Sequence, residues 1–151
     1  MIEVTKDFHA CTGYKVIPTN GWVEGGEAEM SGGLALDVAY KCRAVAEDLG
    51  ALIEENVHVT QIIGTYGEDT YISFPVKPIK AYTDEGLVVP GWACKADLSI
   101  INESAKGLHS LGLKGPVYVP RVGCGNGLLN WDDVAPVLRK HLKEDNYIVL
   151  V

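Results

Sequence analysis

The feature that most restricts the possible folds of this chain is a strand, a glycine turn and a helix start, in that order, near the carboxyl end. Residues 117–119 are Val-Tyr-Val, which is typical of a short buried strand. Gly123, Gly125 and Gly127 follow at alternate positions, and glycine lets a ligand approach the backbone with no Cβ in the way. Asn130 can then cap a helix. This order presents backbone N–H groups to an anion, usually a phosphate, and a purely structural turn is the alternative.

The rest of the chain alternates between strand-like and helix-like segments, which predicts an α/β fold with a mixed sheet and helices on both faces. Apolar residues at helical spacing predict one helix from Leu34 to about Glu55, which Gly50 can break or kink. The continuous apolar run at 147–151 predicts a central strand. Residues 22–30 and 79–94 show no periodicity and are expected to form loops. The expected strands are 1–5, 14–18, 58–63, 71–74, 117–119 and 147–151, and the other expected helices are 95–111 and 131–142.

Length and composition are those of a globular protein of one domain, with 151 residues, 47% hydrophobic and 22% charged. No run is long enough to span a membrane, and the net charge of −7 argues against non-specific binding to nucleic acid or anionic membrane. The four cysteines lack C-x-x-C spacing, so no zinc site is expected. Free cysteines of this kind fit a reducing compartment, so the expected location is the cytoplasm. A small phosphorylated ligand stays compatible with the acidic charge, because backbone amides hold phosphate without basic side chains.

Candidate ligand-binding residues follow the ends of several predicted strands, where open α/β sheets place their ligands. Asp7 follows the first strand, with a turn or capping role as the alternative. Asn20 follows the second strand at an Asn-Gly turn. Lys77 stands between two prolines that stiffen the chain, and a solvated surface lysine is the alternative. Residues 31–33, Ser-Gly-Gly, precede the longest predicted helix and form a second candidate phosphate cradle.

Together these segments resemble the macrodomain family, which binds ADP-ribose, over nearly the whole chain and in the right order. Residues 4–7, Val-Thr-Lys-Asp, look like the family's first-strand motif, and residues 18–20, Pro-Thr-Asn, look like the end of its second strand. Residues 30–36 and 120–131 are similar to its two phosphate-binding loops, the second being the closer match. The resemblance implies a three-layer α/β/α macrodomain with a central mixed sheet of about six strands, and residues 1–151 as a single domain.

The resemblance also implies roles for individual residues. Asp7 would accept a hydrogen bond from the adenine amino group, with Phe8 beside it, and Asn20 would contact the distal ribose. Lys77, in Phe-Pro-Val-Lys, matches a lysine that works on the distal ribose in the hydrolase branch of antitoxin macrodomains and terminal ADP-ribose glycohydrolase. Lys77 and Asn20 are therefore the expected catalytic residues. The expected diphosphate contacts are Ser31, Gly32, Gly33, Leu34, Gly123, Cys124, Gly125, Asn126, Gly127 and Leu128.

The implied function is binding of ADP-ribose and cleavage of an ADP-ribose derivative, by an ADP-ribosyl hydrolase or an ADP-ribose 1″-phosphate phosphatase. A reader without turnover and a protein that sequesters an ADP-ribose-type signal are the alternatives. Gly127 stands where the glycohydrolase carries an aspartate, so the antitoxin-like pattern fits better. The long loop 21–29 and an insertion at 81–94 border the distal ribose and leave the leaving group open. The expected partner is ADP-ribose or an ADP-ribosylated molecule, without a metal or other cofactor.

Other nucleotide-binding classes fit the sequence less well. A dinucleotide-binding dehydrogenase is disfavoured because the glycine motif lies near the carboxyl end, with no acidic residue ending a second strand about twenty positions later. A Walker-type nucleotidase is disfavoured because Gly-Lys-Ser/Thr does not occur. Cys124 as a thiol nucleophile is disfavoured because no histidine neighbour can be argued for it, and a small residue fitting a tight loop is the favoured interpretation.

Overall fold

The computed structural model describes residues 1–30 and 32–151. Ten strands and four helices are formed by these residues, joined by two short 3-10 turns. None of the helices in this part of the chain is both long and apolar enough to cross a membrane. The strands are β1 Ile2–Val4, β2 Gly13–Thr19, β3 Val23–Glu24, β4 Glu27–Ala28, β5 Gln61–Tyr66, β6 Asp69–Pro75, β7 Lys80–Tyr82, β8 Val88–Pro90, β9 Val117–Pro120 and β10 Tyr147–Leu150, and the helices are α1 Gly33–Lys41, α2 Arg43–Asn56, α3 Leu98–Ser110 and α4 Trp131–His141.

Six strands form one sheet in the order β1-β10-β9-β2-β6-β5, and the other four form the separate pairs β3–β4 and β7–β8. Neighbouring strands are parallel except β5, which pairs antiparallel with β6. The predicted mixed sheet of about six strands is therefore confirmed. The closing strand β10 lies between β1 and β9, as its uninterrupted apolar sequence predicted, because a strand covered on both faces has no polar side to present.

The two faces of the sheet bury separate apolar clusters. Successive strand residues point to opposite faces, so Val16 belongs to one cluster and Ile17 to the other. Helices α3 and α4 cover the Val16 face, and α1 and α2 cover the Ile17 face. This arrangement is the three-layer α/β/α architecture expected from the sequence.

The predicted long helix is wrong in its continuity. Helices α1 and α2 are separate and meet at Cys42, whose backbone is extended at φ −147° and ψ 94°. Gly50, the predicted site of a possible break or kink, lies inside α2. A Cβ on Gly50 would overlap the carbonyl oxygen of Gly26 and lie 2.9 Å from the backbone nitrogen of Ala28. Gly50 therefore serves the close approach of another segment onto the helix rather than the end of the helix.

The two predicted loops each contain a small antiparallel hairpin. Strands β3 and β4 pair through a turn in which Gly25 and Gly26 have φ of 59° and 81°, and paired positive φ values are what a tight hairpin turn requires. Strands β7 and β8 pair within residues 79–94. Asn130 does stand at the start of α4, but its side chain makes no capping bond; its backbone carbonyl accepts from the Asp133 N–H at 3.0 Å.

Candidate functional site

The candidate site lies at the carboxyl ends of β2 and β9, which are neighbours in the sheet. The chain leaves β2 towards α1 on one face and leaves β9 towards α4 on the other face. Diverging connections of this kind open a crevice where α/β sheets bind ligands. A cavity of about 220 Å³ occupies it. The predicted site residues that line it are Asn20, Gly32, Gly33, Leu34, Lys77, Gly123, Gly125, Asn126 and Gly127.

The two glycine turns, Gly32–Gly33 at the start of α1 and Gly123–Gly127 before α4, meet across this cavity. A Cβ on Gly32 would overlap the side-chain amide nitrogen of Asn126, and a Cβ on Gly33 would lie 3.5 Å from the same atom. Gly32 also has φ of 90°, in the region that favours glycine. The turn that precedes α1 and the turn that precedes α4 are thus in contact, although about ninety residues separate them in the sequence.

Gly127 occupies a position that no side chain can share. A Cβ there would lie 2.5 Å from the carbonyl oxygen of Gly123 and 2.7 Å from the Cβ of Ala96. The Gly127 carbonyl also accepts a hydrogen bond from the Ala96 N–H at 3.1 Å, which fixes the turn against the start of α3. An aspartate at this position would require the turn to move.

The backbone amides of the second turn divide into bonded and open groups. The N–H of Cys124 donates to the Arg121 carbonyl at 3.2 Å, and the N–H of Leu128 donates to the Gly125 carbonyl at 3.0 Å. Within residues 1–30 and 32–151, the N–H groups of Gly125, Asn126 and Gly127 have no backbone acceptor. Open amides at the mouth of a turn are suited to binding an anion. The first-turn amides of α1 add further donors, since a helix start leaves its first N–H groups without intrahelical partners.

Cys124 and Leu128 are not among the residues that line the cavity, and their contact with a ligand stays a prediction. Leu128 is 72% exposed and has φ of 65°, which is uncommon for a residue other than glycine. Cys124 packs against the apolar cluster beneath the turn, and its thiol donates to the Val122 carbonyl at 3.5 Å. Burial raises the pKa of the Cys124 thiol, with Arg121 acting in the opposite direction, so a thiolate nucleophile is disfavoured.

Asp7 and Phe8 also lie outside the cavity wall. The Asp7 carboxylate is exposed and accepts from the His9 N–H at 3.3 Å, which makes Asp7 the cap of a 3-10 turn. The ring of Phe8 is buried, with the Lys15 ammonium 4.5 Å from its centroid, so its side chain belongs to the core. Contact of Asp7 with adenine stays a prediction. Ser31, another predicted contact, lies outside the described residues.

Lys77 and Asn20 line the end of the cavity formed by β6 and β2, and the second glycine turn follows β9 on the other side of β2. Lys77 is 8% exposed, and its ammonium donates to the Trp92 carbonyl at 3.2 Å. Burial lowers the pKa of Lys77, with Cys94 acting in the opposite direction. The Asn20 side chain donates to the Glu29 carbonyl at 2.8 Å and accepts from the Trp22 N–H at 2.9 Å. Asn20 therefore holds the 21–29 loop and retains one amide N–H for a ligand.

His58 lies behind Lys77 and was not predicted to take part. Its Nε2 is 2.9 Å from the Lys77 carbonyl, and its ring fills the space that a Cβ on Gly21 would need. Burial lowers the pKa of His58, and the contact with the Lys77 carbonyl acts in the opposite direction. The neutral ring can donate to that carbonyl through Nε2–H. A lone histidine before a strand carried no signal in the sequence.

Arg121 is a second cationic residue of the cavity wall that sequence reasoning missed. It follows β9 directly, at the same strand-end position that drew attention to Asn20 and Lys77. Its guanidinium lies 5.4 Å from the centroid of the Trp131 ring. None of the lining residues that the structure describes is acidic, so the cavity is electrostatically suited to a negatively charged ligand. In the same described part, no cluster of three histidine, cysteine or acidic residues could hold a metal ion.

Comparison with known proteins finds solved structures of the same fold. No protein-family model and no curated protein sequence matches the chain. The macrodomain of Thermus aquaticus DarG matches with a TM-score of 0.73 and 18% identity, over 99% of this chain and 95% of that one. The macrodomain of Mycobacterium tuberculosis DarG matches with a TM-score of 0.71 and 18% identity, over 99% and 95% of the two chains.

A third structure, Thermosipho africanus DarTG in complex with ADP-ribose, matches with a TM-score of 0.72 and 18% identity. The match covers 95% of this chain and 39% of that chain, so this chain corresponds to less than half of that protein. Identities this low report on the fold. The structures therefore confirm the macrodomain fold expected from the sequence motifs.

Proposed function

We propose, from the premise that this chain has the macrodomain fold, that it binds ADP-ribose and cleaves an ADP-ribosyl derivative at the distal ribose. The observation that carries the proposal is the meeting of two glycine turns over one cavity that a buried lysine also lines. The solved complex of Thermosipho africanus DarTG with ADP-ribose supports the choice of ligand.

The diphosphate would lie between the two turns. The open N–H groups of residues 125–127 and the first-turn amides of α1 are donors fixed before the ligand arrives. A hydrogen bond to a charged group contributes about 1.5–3 kcal/mol net, so a few such bonds supply most of the affinity that a small ligand needs. The helix dipole of α1 adds to the attraction for negative charge.

The size of the cavity indicates which part of the ligand it would enclose. Its volume of about 220 Å³ is below the range of about 300–1,000 Å³ that is usual for small-molecule sites. We infer that the diphosphate and the distal ribose are enclosed and that adenine lies outside, towards Asp7. The contact of His9 with Asp37 of α1, at 3.9 Å, places the Asp7 turn beside the same helix whose start faces the cavity.

At the distal ribose, Lys77 would act on C1″ while Asn20 orients the sugar or a water molecule. In one route the neutral amine attacks C1″ of the opened sugar, the bond to the leaving group breaks as that group takes a proton, and water then releases the amine. In the other route the ammonium stabilises negative charge on a departing group. The lowered pKa of Lys77 favours the first route, since burial increases the neutral fraction of the amine.

Two measurements test the proposal. Calorimetry should show ADP-ribose binding at one site, more tightly than AMP, because AMP lacks the diphosphate and the distal ribose. Chromatography of reactions with ADP-ribose 1″-phosphate, ADP-ribosylated protein and ADP-ribosylated DNA should show release of ADP-ribose from at least one of them. Binding without any turnover would establish a reader or a sequestering protein instead, and no binding would reject the whole proposal.

The proposal treats residues 1–151 as a single macrodomain. It also assigns the chain to a reducing compartment such as the cytoplasm. The basis of that assignment is the sequence, in which the four cysteines lack C-x-x-C spacing.

A further inference from the structure

Lys77 is held at two points by parts of the chain that are far apart in sequence. Its carbonyl contacts His58 Nε2 at 2.9 Å, and its ammonium donates to the Trp92 carbonyl at 3.2 Å. A lysine side chain has four rotatable bonds, so a contact on the backbone does not fix the position of the amine. The Trp92 carbonyl therefore determines where the amine of Lys77 lies.

The Trp92 carbonyl belongs to a short 3-10 turn, Gly91–Ala93, which follows the hairpin β7–β8. A Cβ on Gly91 would overlap the Pro78 carbonyl oxygen and lie 2.6 Å from that of Ile79 and 2.7 Å from that of Asn20. Gly91 thus lets the turn lie against both strand ends that carry the expected catalytic residues. The tip of the hairpin is not packed in this way, because the Leu87 side chain is 66% exposed.

We propose that the Gly91–Ala93 turn is the positioning element for the amine of Lys77, with the Trp92 carbonyl as the positioning group and Gly91 as the residue that permits it. This inference rests on the proposed role of Lys77 at the distal ribose. The insertion would then have a function: the hairpin β7–β8 brings the turn back against the Pro78 and Asn20 carbonyls, where Trp92 binds the amine of Lys77.

The turn would also affect the ionisation of the amine, because Lys77 is buried where it meets the turn and this burial lowers its pKa. The titratable groups around Lys77 are the Cys94 thiol after the turn and the His58 imidazole at its backbone carbonyl, and Arg121 lines the same cavity. None of these is a carboxylate that would hold the ammonium charged. Displacing the turn would therefore admit water and raise the pKa of Lys77 towards its ordinary value of 10.5.

The first experiment compares Gly91→Ala with Leu87→Ala in the full chain, using the derivative that wild type cleaves. Gly91→Ala should lower kcat by about tenfold to a hundredfold, as a displacement on the order of 1 Å does for a positioned group. KM and the Kd for ADP-ribose should change much less than kcat, because the glycine turns are untouched and the added Cβ meets Asn20 at its backbone carbonyl rather than at its side chain. Leu87→Ala, on the exposed tip of the same hairpin, should match wild type.

The second experiment follows the titration of Lys77 by NMR with isotope-labelled lysine, using Lys77→Ala to assign the resonance. The midpoint should rise in Gly91→Ala and stay unchanged in Leu87→Ala. Replacing Ala93 by lactic acid turns the Trp92 carbonyl into a weaker ester acceptor without adding a side chain, and it should also lower kcat. This replacement keeps the test valid if Gly91→Ala fails to fold.

The outcomes separate the two proposals. Wild-type kcat and an unmoved Lys77 titration in both altered proteins would overturn the positioning role. Full turnover by Lys77→Ala would instead reject the role of Lys77 in the reaction, and the titration would still report whether the turn controls the amine. A fall in kcat accompanied by an equal loss of ADP-ribose affinity would also overturn the inference, because it would indicate general damage to the cavity.

Discussion

The two ends of the cavity are built differently: the glycine-turn end is formed by backbone groups and the Asn20–Lys77 end by side chains. At the glycine turns the wall is backbone, and the residues matter because a side chain at Gly32 or Gly127 would collide with Asn126 or Gly123. At the other end the wall is made of buried polar side chains, Asn20 and Lys77, each tied to a backbone group of a neighbouring loop. The glycine-turn end requires residues without a side chain, and the Asn20–Lys77 end requires two side chains in defined positions.

This difference teaches that binding and chemistry can fail separately. Backbone donors tolerate any change that leaves the turn in place, and they lose their geometry when a single Cβ displaces it. Side-chain groups tolerate small shifts of the backbone less well, because their effect depends on ionisation and on distance to the reacting atom. The predictions below use substitutions that affect one end and spare the other.

The largest expected effect is loss of turnover in Lys77→Ala. A positioned acid–base or nucleophilic group contributes about 10²–10⁴-fold, so cleavage should fall by at least about a hundredfold. Affinity for ADP-ribose, measured by calorimetry, should change less than about threefold, because the diphosphate end is intact. Lys80→Ala is the matched control, since Lys80 is exposed three residues later. Equal turnover in the two variants would contradict the division between the ends.

A second prediction tests the backbone end with Gly127→Ala. The added Cβ would meet the Gly123 carbonyl oxygen at 2.5 Å, so we expect a loss of about 1–3 kcal/mol in the free energy of unfolding and at least about a tenfold loss of ADP-ribose affinity. Urea unfolding and calorimetry measure the two effects.

Gly125→Ala is the control for this prediction, because a Cβ on Gly125 meets no atom within 4 Å. Its stability should stay within about 0.5 kcal/mol of wild type. If Gly127→Ala binds and unfolds like wild type, the turn is more adaptable than its contacts indicate.

A third prediction concerns Asn20, whose side chain lines the cavity and is hydrogen-bonded to the backbone of the loop that follows β2. Asn20→Ala removes the hydrogen bonds to the Glu29 carbonyl and from the Trp22 N–H, which at about 0.5–1.5 kcal/mol each should lower the free energy of unfolding by about 1–3 kcal/mol. Turnover should fall as well, because Asn20 is proposed to orient the distal ribose or a water molecule. A variant that unfolds at the wild-type urea concentration would show that the loop is held by other contacts.

The smallest expected effect is on the pH dependence of stability, through His58. Burial lowers the pKa of His58 in the folded state below its ordinary value of 6.5, so its contribution is full above pH 6.5 and is lost as the pH falls through the folded-state pKa. His58→Gln keeps a donor for the Lys77 carbonyl without a titrating ring. Urea unfolding at pH 8, 6.5 and 5 should therefore show a steeper loss for wild type than for His58→Gln. Parallel losses would mean that His58 is not buried in its neutral form.

Local sequence patterns predicted most of the sheet and the glycine turns. Strand β10 was placed at the centre of the sheet because its residues are apolar on both faces, and the turns were found because glycine is required where backbone segments approach closely. The same reasoning failed at Gly50, where glycine is needed because the hairpin β3–β4 packs closely against helix α2 and not because the helix ends there. A glycine reports a close approach, and the sequence does not say which segment approaches.

Local sequence was enough to predict the α/β alternation, the two glycine turns and the two strand-end residues Asn20 and Lys77, because each depends on neighbours within a few positions. The burial of Lys77, the contact of its amine with the Trp92 carbonyl and the presence of His58 and Arg121 in the site were visible only in the folded chain. These facts depend on segments far apart in the chain. Their contacts form only when the sheet brings the strand ends together, so no local periodicity encodes them.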